Sequence, residues 1–323
     1  MKRMKWLAFA GLSLLCMSGA AAENYPTRPV TIIVPYAPGG GTDLLARIVG
    51  QELAKRLGKS FIVENRPGGG TVIAAVAAAR APPDGYTLLM GTSTPLAINA
   101  TLHRNLPYDP VADFVPLALV ANVPFVLVVN PSLPVKSVSE LIKLAKEKPG
   151  SLSYGTSGPG SPHHLYSELF KSMTGIEMTH IPYKGSVPAL TDVVAGHIPL
   201  MFVDLGPAQP MIKDGKVRAL GVSSAVRVAS LPDVAPIAEV GVPGFEAVAW
   251  QMLVAPANTP KEIVDTLYKE LKAILALPEI KQRINELGMI PIDSPPPEEL
   301  ARYVKTEIVR WGEVVKKSGA SIE

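Results

Sequence analysis

One pattern occurs twice in this chain and restricts what it can fold into. A short apolar run passes into a glycine-rich loop, and the loop opens an amphipathic segment. The first unit runs from Val30–Val34 through Pro35-Tyr36-Ala37-Pro38-Gly39-Gly40-Gly41-Thr42-Asp43 into a helix expected over Asp43–Leu57. The second runs from Leu152–Gly155 through Tyr154-Gly155-Thr156-Ser157-Gly158-Pro159-Gly160 into a helix expected over Ser161–Met173. Further strands are predicted at Phe61–Glu64, Thr87–Gly91, Val126–Val129, Leu200–Val203 and Ala219–Val222. Between them helices are predicted at Thr71–Arg80, Val138–Lys148, Val187–Ala195 and Pro207–Lys213. Such alternation argues for an α/β protein with parallel strands and helical crossovers. The 32 prolines and 27 glycines of 323 residues then read as punctuation between many short elements.

The last stretch is different. Lys261–Ala276, Glu279–Leu287 and Glu298–Lys317 read as helices, and no strand-rich segment is expected after Val254. A helical tail cannot build its own sheet, so it is expected to pack on an earlier domain. The domain reading is therefore one lobe from residues 23–124 and 250–323, and a second from residues 125–249. Capping boxes are expected at Ser137 with Glu140 and at Thr259 with Glu262, with Pro260 in the first helical position.

Residues 1–22 read as a signal peptide. Lys2, Arg3 and Lys5 precede an apolar stretch from Trp6 to Met17, and Ala20-Ala21-Ala22 supplies the small-residue cleavage pattern. The apolar stretch is short for a membrane span. Its removal takes away three basic residues and no acid, leaving 28 basic against 28 acidic side chains. A neutral mature chain with 6% aromatic residues offers no footprint for nucleic acid. Cys16, the single cysteine, leaves with the signal, which excludes disulfides, thiolate metal sites and cysteine nucleophiles.

The two glycine-rich loops carry the chemistry. In open α/β sheets ligands lie beyond the carboxyl ends of the strands. Gly39, Gly40 and Gly41 let backbone N–H groups approach a guest closely, and the helix start adds free donors and the positive end of its dipole. Such a place holds an anion without lysine or arginine. Asp43 competes for the same donors, and reads equally as a cap or as a ligand contact. In the second loop Thr156, Ser157 and Ser161 offer hydroxyls, and Ser161-Pro162 fits a helix start. His164 reads equally as a loop hydrogen-bonding group or a ligand contact. Ser93 and Thr94 after the third strand, and Asp204 after Leu200–Val203, could complete a cleft; the plain alternative for Thr94 and Asp204 is helix capping. Lys184 is read as a surface charge and Arg66 as structural.

Enzyme signatures break. Gly155-Thr156-Ser157-Gly158-Pro159 lacks the last glycine of a nucleophile elbow. Gly58-Lys59-Ser60 lacks the glycine that a phosphate-binding loop needs at Leu53, and Gly158-Pro159-Gly160 meets His163 where a dinucleotide loop needs its third glycine. The five histidines show no zinc-helix spacing, and adjacent His163 and His164 point in different directions on a helix. No cofactor and no metal is expected. A secreted hydrolase using Ser157 with His164 is the rival reading, and it lacks an evident third partner.

Taken together, the blocks Tyr25-Pro26-Thr27-Arg28-Pro29, Pro35 to Asp43, Val63-Glu64-Asn65-Arg66-Pro67-Gly68-Gly69, Asp84-Gly85-Tyr86-Thr87-Leu88, Leu106-Pro107-Tyr108-Asp109-Pro110, Tyr154 to His164, Pro182-Tyr183-Lys184-Gly185 and Gly215-Lys216-Val217-Arg218-Ala219-Leu220 resemble one family. It is the family of extracytoplasmic solute receptors of tripartite tricarboxylate transporters, often called Bug-type, and the resemblance runs from Tyr25 to Ser321. It implies a type II periplasmic-binding-protein fold, two α/β lobes closing around a small organic acid that is delivered to the membrane permease subunits. It also implies a periplasmic receptor without catalytic turnover, taken here as a monomer; service to a membrane signalling sensor is an alternative use. The carboxylate in this family is held by backbone groups, hydroxyls and ordered water from the two loops. The expected ligand-binding set is Tyr36, Gly39, Gly40, Gly41, Asp43, Ser93, Thr94, Thr156, Ser157, Ser161, His164 and Asp204. One position departs from the family pattern: Val203 stands where an aspartate commonly follows the phenylalanine, and Asp204 comes one residue later.

Overall fold

The computed structural model describes residues 25–321. The signal peptide read at residues 1–22 lies outside them. In chain order the elements are β1 (Val30–Val34), α1 (Gly41–Leu57), β2 (Phe61–Asn65), α2 (Val72–Ala79), β3 (Thr87–Thr92), α3 (Asn99–Leu102), β4 (Phe114–Val129), α4 (Val138–Glu147), β5 (Leu152–Thr156), α5 (Pro162–Thr174) and β6 (Met178–Pro182). There follow α6 (Ser186–Ala195), β7 (Leu200–Asp204), α7 (Leu205–Lys213), β8 (Arg218–Val222), α8 (Ile237–Val240), β9 (Val248–Pro256), α9 (Lys261–Ala276), α10 (Pro278–Glu286), β10 (Ile290–Pro291) and α11 (Pro297–Ser318).

The strands run in the order β2-β1-β3-β9-β4-β7-β5-β6, with β8 and β10 also pairing with β4. Each end is parallel, as the crossover pattern predicts: β1 with β2 and β3, and β5 with β6 and β7. The middle is not. β9 is antiparallel to β3 and β4, and β4 is antiparallel to β7 and β8. The expectation of parallel strands throughout is therefore corrected to a mixed sheet. Two long antiparallel strands need no helical crossover and can carry the chain from one half to the other.

β4 shows how. Its residues up to Pro124 pair with β9, and from Phe125 onward the same strand pairs with β7 and β8. Pro124 has no N–H to donate, so the change of partner falls where the ladder loses a donor. The Phe125 N–H is then taken by Ser223 Oγ at 2.8 Å, while Ser223 N–H donates to Phe125 O. The sequence reading saw only the last four residues of this strand. Prolines at 116 and 124 hide the remainder from a propensity argument, because a proline inside a run demotes it.

Period-two alternation sorts the buried side chains onto opposite faces. Val126 and Val128 join one cluster with Leu190, Met201 and Val203. Leu127 and Val129 join another with Phe170, Phe202, Phe245 and Trp311. In the first half, Ile32 and Val34 pack with Leu45, Leu53 and Leu267 beneath α1 and α9. α11 lies across both halves: Trp311 stacks on Tyr166 of α5 at 5.2 Å, and the helix also packs on β4 and α3.

Two local expectations need correction. The Ser137 cap holds, its hydroxyl accepting from the Glu140 N–H at 3.1 Å, and Glu140 reaches back to the Lys136 N–H. At the start of α9, however, Pro260 occupies the cap position, and Thr259 donates to Pro256 O instead of capping. After Val254, β9 continues to Pro256 and the two-residue β10 adds to β4, so the tail is not purely helical.

Candidate ligand-binding cleft

The loops after β1, β3, β5 and β7 come together. Tyr36 from the first loop hydrogen-bonds Thr92 at the end of β3, hydroxyl to hydroxyl, at 3.0 Å. Burial raises the Tyr36 phenol, bonds to Thr92 and Thr94 pull it down, and the charge of Asp204 pushes it up again; the net shift is upward. Asp204 is thus close enough to act electrostatically on the first loop, although it stands at the end of β7. Other contacts close the same seam. Leu102 of α3 abuts Gly160, and Leu205 at the start of α7 abuts Gly288, which adopts a left-handed φ of 75°.

The first loop presents main-chain donors. Among the described residues the N–H groups of Gly40, Gly41 and Thr42 find no acceptor, as a helix start requires unless something else supplies one. Gly40, Gly41 and the preceding Gly39 are exposed. The Gly39 N–H, by contrast, is spent on Asp43 Oδ2 at 2.9 Å. Asp43 is 2% exposed and accepts further from Asn65 at 3.0 Å and from Arg47. Burial would raise its carboxyl, yet these donors hold it below the usual carboxylate range. Through these bonds Asp43 ties the loop to α1 and β2. Arg47 and Arg66 are likewise engaged, on Asp43 and Glu64.

In the second loop the hydroxyls divide. Thr156 is fully buried; its Oγ1 meets His180 Nε2 at 2.6 Å and accepts the Gly158 N–H at 3.1 Å. Its hydroxyl thus braces the loop from inside. Ser161 caps α5 through the His164 N–H and donates to Gly158 O at 2.7 Å, so it also shapes the loop. His164 accepts the Gly160 N–H at 3.1 Å and stacks on His180 at 4.1 Å, which again is the internal alternative. Ser157 is different. Half-buried, it bonds His163 Nδ1 at 2.9 Å, and among the described residues its N–H has no acceptor. On the β3 side Ser93 is 1% exposed and its Oγ has no partner among the described residues.

The sequence reading passed over His163. The structure turns it, rather than His164, toward Ser157 and Asp204. Its Nε2 lies 3.5 Å from Asp204 Oδ2, and its ring is held edge-on by Phe125 at 4.9 Å. Helix side chains lean toward the N-terminus, so both histidines could have reached the loop, and only the packing of Phe125 and His180 separates them. Asp204 stands in the cap position of α7, yet its side chain makes no cap bond. Gln251 was also missed. It pairs in register with Thr92 on β9, is buried, and keeps an Oε1 without a partner among the described residues.

The His164–His180 stack has a pH signature. Burial first, and the neighbouring His180 second, push the His164 imidazole down to about 4. An unfolded histidine binds its proton near 6.5, so between these values the unfolded chain holds a proton that the folded form refuses. The stability this group contributes is complete above pH 6.5 and is lost as the pH falls. Lowering the pH from 6.5 to 5 is expected to cost about 2 kcal/mol through His164, read from urea midpoints. His164→Gln should flatten that slope; an unchanged slope would remove His164 as its source.

Two α/β halves joined by long antiparallel strands, with donor-rich loops meeting between them, define a two-lobed solute-binding receptor. The comparisons agree. Residues 45–320 match the model of the tripartite tricarboxylate transporter family receptor. Protein BugT of Bordetella pertussis is 36% identical, with all of both chains covered. R. palustris Rpa4515, solved with adipate, is 42% identical with a TM-score of 0.82, covering 92% of this chain and 99% of the other. MatC from Rhodopseudomonas palustris, solved with malate, is 34% identical with a TM-score of 0.76, covering 90% and 100%. The chain belongs to the tripartite tricarboxylate transporter receptor family, the Bug-type solute-binding proteins, and is a receptor rather than an enzyme. The rival hydrolase pairing of Ser157 with His164 is also not the one formed, since Ser157 pairs with His163.

Proposed function

We propose that this protein is an exported, periplasmic receptor that captures a small organic carboxylate between its lobes and delivers it to the membrane subunits of a tripartite transporter. The observation that carries the reading is the row of unpaired donors at the start of α1, on Gly40, Gly41 and Thr42. The adipate and malate bound by the two relatives favour a carboxylate as the guest. Tyr36 walls the cleft, Ser93 and the Ser157 N–H add donors, and Gly39 and Asp43 hold the first loop in shape. Thr94 supports Tyr36, while Thr156, Ser161 and His164 brace the second loop.

Residues 23–124 and 250–323 form one lobe in this reading, and residues 125–249 the other. The change of β4 partner after Pro124 supports that boundary. Closure follows from binding: a guest touching both loops favours the conformation in which both reach it. The receptor acts as a monomer, and the signal peptide at residues 1–22 accounts for its export. No helix among the described residues is long and apolar enough to cross a membrane.

A thermal-shift panel of mono-, di- and tricarboxylates on the mature protein tests this. A guest at one hundred times its Kd adds about 2.7 kcal/mol to stability, and the melting temperature should rise by several degrees. If no carboxylate at millimolar concentration shifts it, the reading fails.

A further inference from the structure

The second lobe presents a relay: Ser157 Oγ to His163 Nδ1 at 2.9 Å, then His163 Nε2 to Asp204 Oδ2 at 3.5 Å. His163 is buried, and its Nε2 has no hydrogen-bond partner among the described residues. The Asp204 side chain is one-third exposed and near enough to Tyr36 of the first loop to act on its phenol. Hydrogen bonds from its own backbone and from Ser186 favour the ionised Asp204 carboxylate against its burial. Among the described residues no lysine or arginine pairs with it. A carboxylate with no lysine or arginine partner among the described residues thus stands beside one imidazole.

That charge sets the direction of the relay. A neutral imidazole carries one N–H, and the Asp204 charge favours placing it on Nε2. Nδ1 is then an acceptor and takes the Ser157 hydroxyl proton. Ser157 Oγ, with its hydrogen committed, shows the cleft lone pairs. The side-chain wall of the second lobe thus offers acceptors, Asp204 and Ser157 Oγ, where the first lobe offers backbone donors.

We propose that the guest is asymmetric: a carboxylate at the α1 donors, and a hydrogen-bond donor, an ammonium or hydroxyl group, toward Asp204 and Ser157. This rests on the carboxylate-receptor reading and narrows it. A second carboxylate at that end would meet the Asp204 charge at short range, where like charges repel strongly once water is excluded. An ammonium or hydroxyl would donate to it.

The test is calorimetry on matched sets: succinate, 4-aminobutyrate, 4-hydroxybutyrate and butyrate, then the same four end groups at five and six carbons. The amino or hydroxy member should bind the native protein at least tenfold more tightly than the diacid of equal length. Comparing amino with hydroxy then separates charge from hydrogen bonding. Asp204→Asn should bring diacid and amino acid within about threefold of each other. Ser157→Ala, which leaves Asp204 in place, should keep the preference and weaken the hydroxy member. A native protein that prefers the diacid overturns the inference and leaves the carboxylate receptor standing. So does a preference that Asp204→Asn, shown to be folded by circular dichroism, leaves unchanged. If no member of any set binds, and the wider panel is silent, both readings fall.

Discussion

Gly40→Asp is expected to abolish measurable carboxylate binding while leaving the fold as stable as before or slightly more so. Gly40 is the cap residue of α1, with φ −77° and ψ 165°, an extended conformation open to any residue. A side chain built there has room, its nearest neighbour being Ala37 O at 3.7 Å. Aspartate is a preferred cap, and its carboxylate would accept the free N–H of Thr42. The substitution thus places an internal anion where the guest's carboxylate would lie. Occupied donors and like charge together should weaken binding at least a hundredfold, about 2.7 kcal/mol. Gly40→Ala is the control: the same backbone, a methyl of added bulk and no charge, with affinity expected within about fivefold of native. Calorimetry reads affinity and a melting curve reads stability. Native affinity in Gly40→Asp would remove the α1 donors from the site.

Glu307→Ala should produce the largest loss of stability. Glu307 is on the helix α11 and is 3% exposed. Its Oε2 accepts the indole N–H of Trp250 at 2.9 Å and of Trp311 at 3.0 Å, and its Oε1 takes Arg310 at 3.2 Å. Trp250 belongs to β9 and Trp311 stacks on Tyr166 of α5, so one carboxylate ties the last helix to β9 and braces its contact with α5. Alanine would leave two buried indole donors unpaired and open a cavity beside them. The expected cost is about 4 kcal/mol, a fall in melting temperature on the order of 10 °C. Glu307→Gln keeps an acceptor oxygen and should lose less than half as much. Trp250 and Trp311 are the two tryptophans among the described residues, so their fluorescence reports the same region during urea unfolding. A loss below about 1 kcal/mol would show that the two indoles find other acceptors.

Much of the frame was legible in the residues. Gly58, Gly175 and Gly196 close α1, α5 and α6 in left-handed conformations, and Ser137 and Ser161 cap α4 and α5, as short-range rules predict. Apolar runs such as Val30–Val34 and Leu200–Val203 could hardly be anything but buried strands. β4 was legible only at its end, because Pro116 and Pro124 argue against a strand that its long-range partners nonetheless impose. Glu307 was invisible as a core residue: a lone acid on an amphipathic helix reads as a solvated charge until two tryptophans, one of them 57 positions away, are found beside it.

The same division runs through the cleft. From sequence alone came the two glycine-rich loops, their place after strands and before helices, the lack of cationic side chains within them and the family that these features resemble. All of these depend on neighbours within a few positions, or on blocks quoted in order. Folding alone decided which polar atoms stay free. Thr156 is consumed by His180, 24 positions on, while Ser157 beside it is not. Asp43 is claimed by Asn65, and His163 rather than His164 turns to Asp204. A buried donor or acceptor is satisfied by whatever the fold brings within about 3 Å, and that partner is set by packing across the sheet, not by spacing along the chain.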